Sequence, residues 1–321
     1  ENFGGNPDNI TIFGESVGGT SVATLMVTPA AKALFNKVIA QSGTFHHCRT
    51  QKKRGPHYRN VFMAACGVDD LNGLMNLSEE QIRSATYEIT EEATFMADRM
   101  FMPTFDGDVL PDDPYDYIAE GNTSDILLMH GSNKEEYHYW LNYYEELMRD
   151  SPREAMMGLY KDVFQLSDDQ IDELYQCLTE YYPHKSKSDK YIDIATWGHF
   201  RSSHARLSAA QSQHSPTWEY LFEWSSPVDP EKGSCHAIEL PFVFYNKEKE
   251  IFGENPPITL MEQVQNAWIS FARNGDPNHS DLPLWPQYNK KDKPKMVFNV
   301  NTRVENDPDG VLRNKWDEVM G

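Results

Sequence analysis

Ile10-Thr11-Ile12-Phe13-Gly14-Glu15-Ser16-Val17-Gly18-Gly19 joins a short β-branched and aromatic run to a stretch of helical pattern. Ile10 to Phe13, bounded by Pro7-Asp8-Asn9 and Gly14, reads as a buried strand. Thr20 to Val27 reads as a helix stopped by Thr28-Pro29. Between them lies G-x-S-x-G, in which a serine sits on a sharp, strained strand-to-helix turn. The glycines at 14 and 18 are expected because a side chain at either would collide with the neighbouring strand or helix. Such a turn lifts the Ser16 hydroxyl above the sheet and aims the helix N-terminus at it. The backbone N–H of Val17 can then face an oxyanion developing on a bound carbonyl.

Outward from this turn, strands and helices alternate. Lys37 to Gln41 reads as a second strand stopped by Ser42-Gly43. Ile126 to Met129 forms a third, within Asp125 to Gly131, and delivers the loop Ser132 to Glu136. Thr217 to Trp224 alternates large aromatics at 218, 220, 222 and 224. Ser78-Glu79-Glu80-Gln81 and Ser167-Asp168-Asp169-Gln170 carry the capping-box pattern, so helices should begin at both. Ile258 to Asn274 is an amphipathic helix closed by Gly275 and Pro277. The alternation argues for α/β layers around a mostly parallel sheet. No repeat, low-complexity tract or interdomain linker breaks the 321 residues.

A serine hydroxyl is a poor nucleophile near neutral pH, so it needs a general base, and the base needs an orienting carboxylate. In folds built on this turn the chain order is Ser, then Asp or Glu, then His. Two downstream loops fit that order. One is Gly131-Ser132-Asn133-Lys134-Glu135-Glu136, after the third strand. The other is Gly233-Ser234-Cys235-His236-Ala237-Ile238-Glu239, between the aromatic strand and the apolar run Leu240 to Phe244. Other constellations are weaker. His46-His47-Cys48 lacks further ligands at metal spacing, and neither His130 with His138 nor His199 with His204 matches a zinc-binding pattern. No metal or cofactor is expected, and Cys235 reads as a packed thiol.

The net charge is −20, from 49 acidic and 29 basic residues. Between Asp69 and Glu180 stand 27 acidic and 6 basic residues, a balance of −21, so the rest carries +1. The chain lacks the clustered Lys and Arg that nucleic-acid binding requires. The acidic segment reads as a solvated surface, with a field that draws cationic substrates as the sharper alternative. No apolar run approaches the length of a transmembrane helix. Cys48, Cys66, Cys177 and Cys235 are too scattered for a disulfide scaffold, which leans slightly toward a cytoplasmic rather than a secreted setting. The sequons at Asn9, Asn76, Asn122 and Asn278 carry little weight.

The sequence resembles the carboxylesterase type B, or cholinesterase-like, family. The matching stretches are FGGNPDNITIFGESVGG at 3–19, FNKVIAQSG at 35–43, PTFDGDVLP at 103–111, ILLMHGSNKEE at 126–136 and SCHAIELPFVF at 234–244. AWISFARNGDPN at 267–278 and LWPQY at 284–288 continue the series, all in family order. The resemblance implies an α/β-hydrolase fold and carboxylic ester hydrolysis through a serine acyl-enzyme. By position it makes Ser16 the nucleophile, Glu136 the acid and His236 the base, with Val17 in the oxyanion hole. Glu15 matches a family glutamate near the catalytic histidine, and Ser42 a buried serine that braces the Glu–His pair. Tyr137 stands where the family usually has glycine, which keeps Glu135 open as the acid. Tyr137, Tyr139 and Trp140 suit either a substrate pocket or core packing. Gly73 stands near the position of a partner for Cys66, so that disulfide is expected to be absent.

The resemblance also implies a single domain of which residues 1–321 are the C-terminal portion. The strands before the serine turn, and a Gly-rich loop with further oxyanion N–H groups, would belong to an N-terminal segment. The expected partners are a small ester and that segment. Alternatives are an inactive adhesion or scaffold protein of the same family, and a serine amidase or thioesterase on the same triad.

Overall fold

The computed structural model describes residues 4–46, 48–91, 101–143, 148 and 150–320. Six strands form one sheet: β1 (Thr11–Glu15), β2 (Lys37–Gln41), β3 (Leu127–Asn133), β4 (Thr217–Phe222), β5 (Pro294–Phe298) and β6 (Arg303–Asn306). They lie side by side in chain order. The first five are parallel, and β6 runs antiparallel to β5. Parallel neighbours need crossovers, and helices supply most of them on both faces, so β2 and β4 are buried along their whole length. The period-two alternation of β4 therefore sorts residues between two covered faces, and the strand ends at Phe222 rather than Trp224.

Side chains alternate across β2. Ile39 joins one core with Met129, Trp218, Tyr220, Phe222 and the helix Ile258–Asn274. Val38 and Ala40 join the other, with Val22, Leu128 and Leu207. The helix Ile258–Asn274 turns Leu260, Met261, Val264, Ala267, Trp268 and Phe271 inward, and ends at Gly275 in the left-handed conformation (φ 75°). Each large side chain buried here contributes about 1.5–3 kcal/mol relative to exposure. A third core lies among the helices between 152 and 200 and the C-terminal helix Gly310–Met320.

The capping boxes form as read. Ser167 Oγ accepts from Gln170 N while Ser167 N donates to Gln170 Oε1, opening the helix Asp168–Tyr181. Ser78 and Gln81 make the same exchange before the helix Glu79–Glu91. Two boundaries shift at the serine turn. β1 extends to Glu15, and helix α1 (Val17–Met26) begins at once, so the turn is compressed into Ser16 alone.

The register aligns the C-terminal ends of the strands. Glu15 lies beside Gln41, Gln41 beside Gly131, and Asn133 beside Phe222. In parallel sheets this end gathers functional loops, because each strand hands its chain to the following turn there. Among the described residues β1 pairs with β2 alone, and Phe13 on it is 51% exposed.

Candidate active site

Ser16 adopts φ 58° and ψ −118°, a strained combination for a residue with a side chain. Its N–H donates to Gln41 O, and its carbonyl accepts from Thr20 N, so the turn is tied to both β2 and α1. A Cβ on Gly14 would stand 2.5 Å from the Gly18 backbone, which makes glycine obligatory there. A Cβ on Gly18 would meet nothing within 4 Å. The collision expected at Gly18 is therefore absent. It belongs to Gly19, whose added Cβ would lie 2.5 Å from Gln41 O, and to Gly43, where one would lie 2.0 Å from Ser16 O. Val17 opens α1, so its N–H is one of those that a helix leaves without an internal partner.

Three side chains from three strand ends converge. His236 Nε2 lies 2.8 Å from Ser16 Oγ, and His236 Nδ1 lies 2.6 Å from Glu136 Oε2. Glu136 is fully buried, and its second oxygen accepts from Asn133 N at 2.7 Å. The His236 N–H donates to the Glu136 carbonyl, so backbone as well as side chain ties the two loops. Glu135 faces elsewhere. Its carboxylate accepts from Ser234 N at 2.9 Å and anchors the loop that carries His236. The geometry thus brings Glu136, not Glu135, to the imidazole.

Glu15 Oε1 comes within 3.2 Å of His236 Nε2, off the line of a hydrogen bond. Burial raises the Glu15 carboxyl to about 8, against the pull of His236 and with help from Glu239 and Glu136. Burial alone would depress His236, yet it is raised, because the charge and hydrogen bond of Glu136 and the charges of Glu15 and Glu239 prevail. Ser42 sits at φ 46° with its N–H donating to Gly131 O. Its hydroxyl is buried with no hydrogen-bond partner among the described residues, so it makes no bracing hydrogen bond to the Glu–His pair.

Bracing comes instead from residues that motif reading missed. Glu239, fully buried, accepts from Asn133 Nδ2 at 2.7 Å and from Gln41 Nε2 at 3.1 Å, while Gln41 Oε1 accepts from Trp268 Nε1. Burial and the neighbouring Glu136 raise the Glu239 carboxyl. The one available sequence signal was spacing: Glu239 follows His236 by three, and Asn133 precedes Glu136 by three. Nothing local marked Phe200, whose ring centroid lies 5.1 Å from that of His236. Of the aromatic cluster, Trp140 also lies 5.1 Å from His236 and Tyr139 6.1 Å, whereas Tyr137 is buried in the helical core.

The remaining candidates stay apart from this centre. His46 packs against His199, and His47 with the side chain of Cys48 lies outside the described residues. Among the described residues no group of three or more His, Cys, Asp or Glu is placed to hold a metal. His130 and His204 form a buried pair, Nδ1 to Nδ1 at 2.8 Å, and burial drives His130 down to about 3. Cys66, Cys177 and Cys235 are free thiols, and burial pushes Cys235 up to about 12. No described helix is long and apolar enough to cross a membrane.

Residues 1–314 match the family model described as the carboxylesterase family. A para-nitrobenzyl esterase of Bacillus subtilis (strain 168) is 31% identical over 328 residues, covering 98% of this chain and 63% of that protein. Carboxylesterase 1E of Rattus norvegicus is 28% identical over 325 residues, with coverages of 91% and 56%. The carboxylesterase EST55 of Geobacillus stearothermophilus superposes with a TM-score of 0.82 at 28% identity, covering 98% of this chain and 65% of that one. The chain thus spans less than two thirds of the length of these relatives. On the family match, the shared α/β-hydrolase fold and the resemblance in sequence, this chain belongs to the carboxylesterase family.

Proposed function

We propose that the protein hydrolyses carboxylic esters through an acyl-enzyme on Ser16, and the observation that carries this is the continuous line Ser16–His236–Glu136. Ser16 Oγ attacks the ester carbonyl carbon as His236 Nε2 takes the hydroxyl proton. Glu136 holds the Nδ1–H tautomer and offsets the imidazolium charge. The carbonyl oxygen becomes an oxyanion facing the Val17 N–H at the start of α1, where one such donor is worth about 10²–10³ in rate. As the carbon–oxygen bond to the alcohol breaks, His236 returns its proton to the leaving oxygen. Water, activated by the same imidazole, then attacks the acyl carbon and releases the acid with Ser16 restored.

A scaffold protein of the family would have no need for these three groups in register. Thioesters and amides would enter through the same first step. The test is labelling with a fluorophosphonate followed by peptide mapping. Modification at Ser16, absent in Ser16→Ala, is expected; labelling elsewhere or none refutes the proposal. Residues 1–321 are further read as the C-terminal portion of one domain, supported by the open edge of β1 and by the length of the relatives.

A further inference from the structure

Tyr137 stands directly after Glu136 and is buried in the helical core. Its hydroxyl lies 2.5 Å from His199 Nδ1, and its backbone N–H reaches Thr196 Oγ1 at 3.4 Å. His199 and Phe200 both sit in a π-helical turn, Trp197–Arg201, and their rings stack with centroids 4.3 Å apart and planes 9° apart. Such wide turns occur disproportionately at functional sites, because the extra residue re-aims side chains. Here the re-aimed side chain is Phe200, against the His236 ring at 5.1 Å. Trp140, packed on Tyr137 at 5.1 Å, covers the same imidazole at 5.1 Å, with planes 31° apart.

The imidazole must keep its two nitrogens on the line from Glu136 to Ser16 while it gains and loses a proton. Its hydrogen bonds fix two points and leave rocking about that line unopposed. The Phe200 and Trp140 rings oppose it, and their electron-rich faces favour the imidazolium that acylation creates. Both rings depend on Tyr137: Phe200 through the His199 contact and a direct ring contact at 5.8 Å, Trp140 by direct packing. We propose that Tyr137 is a positioning residue, which through His199 holds the Phe200 wall against His236 and keeps the imidazole aligned for proton transfer. This rests on the reading of Ser16, His236 and Glu136 as the reacting triad. It also explains why this chain tolerates a large residue where glycine was expected: the side chain is used in the helical core.

The test is a double-mutant cycle in the natural protein with Tyr137→Phe, His199→Gln and both, using p-nitrophenyl acetate. Tyr137→Phe keeps the packed ring and removes only the hydroxyl. Misplacement of a reacting group by an ångström can cost about 10²-fold, so a partial loosening is expected to lower kcat about tenfold with KM within about twofold. The double variant should be no slower than the slower single variant, since both changes break one contact. The downfield NMR resonance of the proton between His236 and Glu136 should broaden or shift in each variant. Additive losses, or wild-type kcat with an unchanged resonance in Tyr137→Phe, would overturn the proposal. A fall in melting temperature alone would also count against it. If Tyr137→Phe does not fold, the His199→Gln rate and resonance decide by the same criteria. Fluorophosphonate labelling of the wild type separates the two readings: no label at Ser16 refutes the triad, whereas stoichiometric label with unaffected variants refutes only Tyr137.

Discussion

Glu136 and Glu239, both fully buried, are held by opposite ends of one residue: Asn133 donates its backbone N–H to Glu136 and its side-chain Nδ2 to Glu239, each at 2.7 Å. Two ionised carboxylates so placed repel in a medium where charge is poorly screened. Glu136 has the His236 imidazole as its partner, and among the described residues Glu239 accepts from the neutral Gln41 and Asn133 side chains. Burial first and the charge of Glu136 second raise the Glu239 carboxyl.

This sets the pH dependence of Glu239→Gln. A carboxyl whose pKa is higher folded than unfolded contributes stability below its unfolded pKa, and that contribution fades as pH rises through the folded value. Glutamine cannot ionise, and its amide opposes one of the two donors, a mismatch costing about 1–3 kcal/mol. Urea denaturation should find Glu239→Gln less stable at pH 5, with the gap to wild type narrowing by pH 8. A gap that stays constant or widens would contradict the assignment.

Glu135 and Glu136 should separate by function. Glu136→Gln presents an amide where His236 Nδ1–H must donate, forcing the wrong tautomer, and kcat for a p-nitrophenyl ester is expected to fall about 10³–10⁴-fold. Glu135→Gln retains an oxygen for Ser234 N and should stay within about threefold of wild type, since loop anchoring is preserved. The reverse ranking would identify Glu135 as the acid.

His236 acts as a base only when neutral. Because Glu136 outweighs burial and holds the imidazole above its ordinary 6.5, the acid limb of kcat/KM should lie above pH 6.5. Glu15, itself raised to about 8, is largely protonated at that limb, so Glu15→Gln should leave the limb close to its wild-type position. A limb that moves clearly to lower pH in the pH–rate profile would show that Glu15 is ionised there and acts on the imidazole.

The glycines of the turn should differ sharply. Gly14→Ala and Gly43→Ala place a Cβ 2.5 and 2.0 Å from backbone atoms and should prevent folding or activity. Gly18→Ala meets open space and removes a glycine from α1, a change worth up to about 1 kcal/mol of helix stability. Its melting temperature should equal or exceed that of the wild type; a drop of several degrees would refute the packing described.

The open edge of β1 predicts how residues 1–321 behave by themselves. Among the described residues β1 is paired on one side only, and with Phe13 on it and Val17 just beyond it exposed it templates association; of the oxyanion donors, Val17 is the one proposed here. If residues 1–321 are the C-terminal portion proposed above, this segment expressed alone should aggregate and turn over simple esters at least about 10²-fold more slowly than it does with the proposed N-terminal segment supplied. A soluble, cooperatively melting and fully active 321-residue protein would dispose of the idea.

By itself the sequence determined what is local or ordered along the chain. Strand, turn and helix around Ser16 follow from β-branched residues, glycines and periodicity, and the helix ends at Ser167 and Gly275 follow from side chains that satisfy nearby backbone groups. The serine turn implied the order Ser, acid, His, two loops fitted it, and the family resemblance singled out Glu136 and His236. The tertiary structure alone decided which neighbour of a pair reaches the site, because one residue of offset at the end of β3 turns Glu135 to Ser234 and Glu136 to His236. It alone decided which glycine meets backbone, since Gly18 and Gly19 differ by the 100° that separates successive helical side chains. Phe200 and the contact of Tyr137 with His199 were invisible in the string of residues, and Glu239 was marked only by its spacing from His236. Their partners come from other strands and helices, and only the packing of those elements brings the groups within a few ångströms.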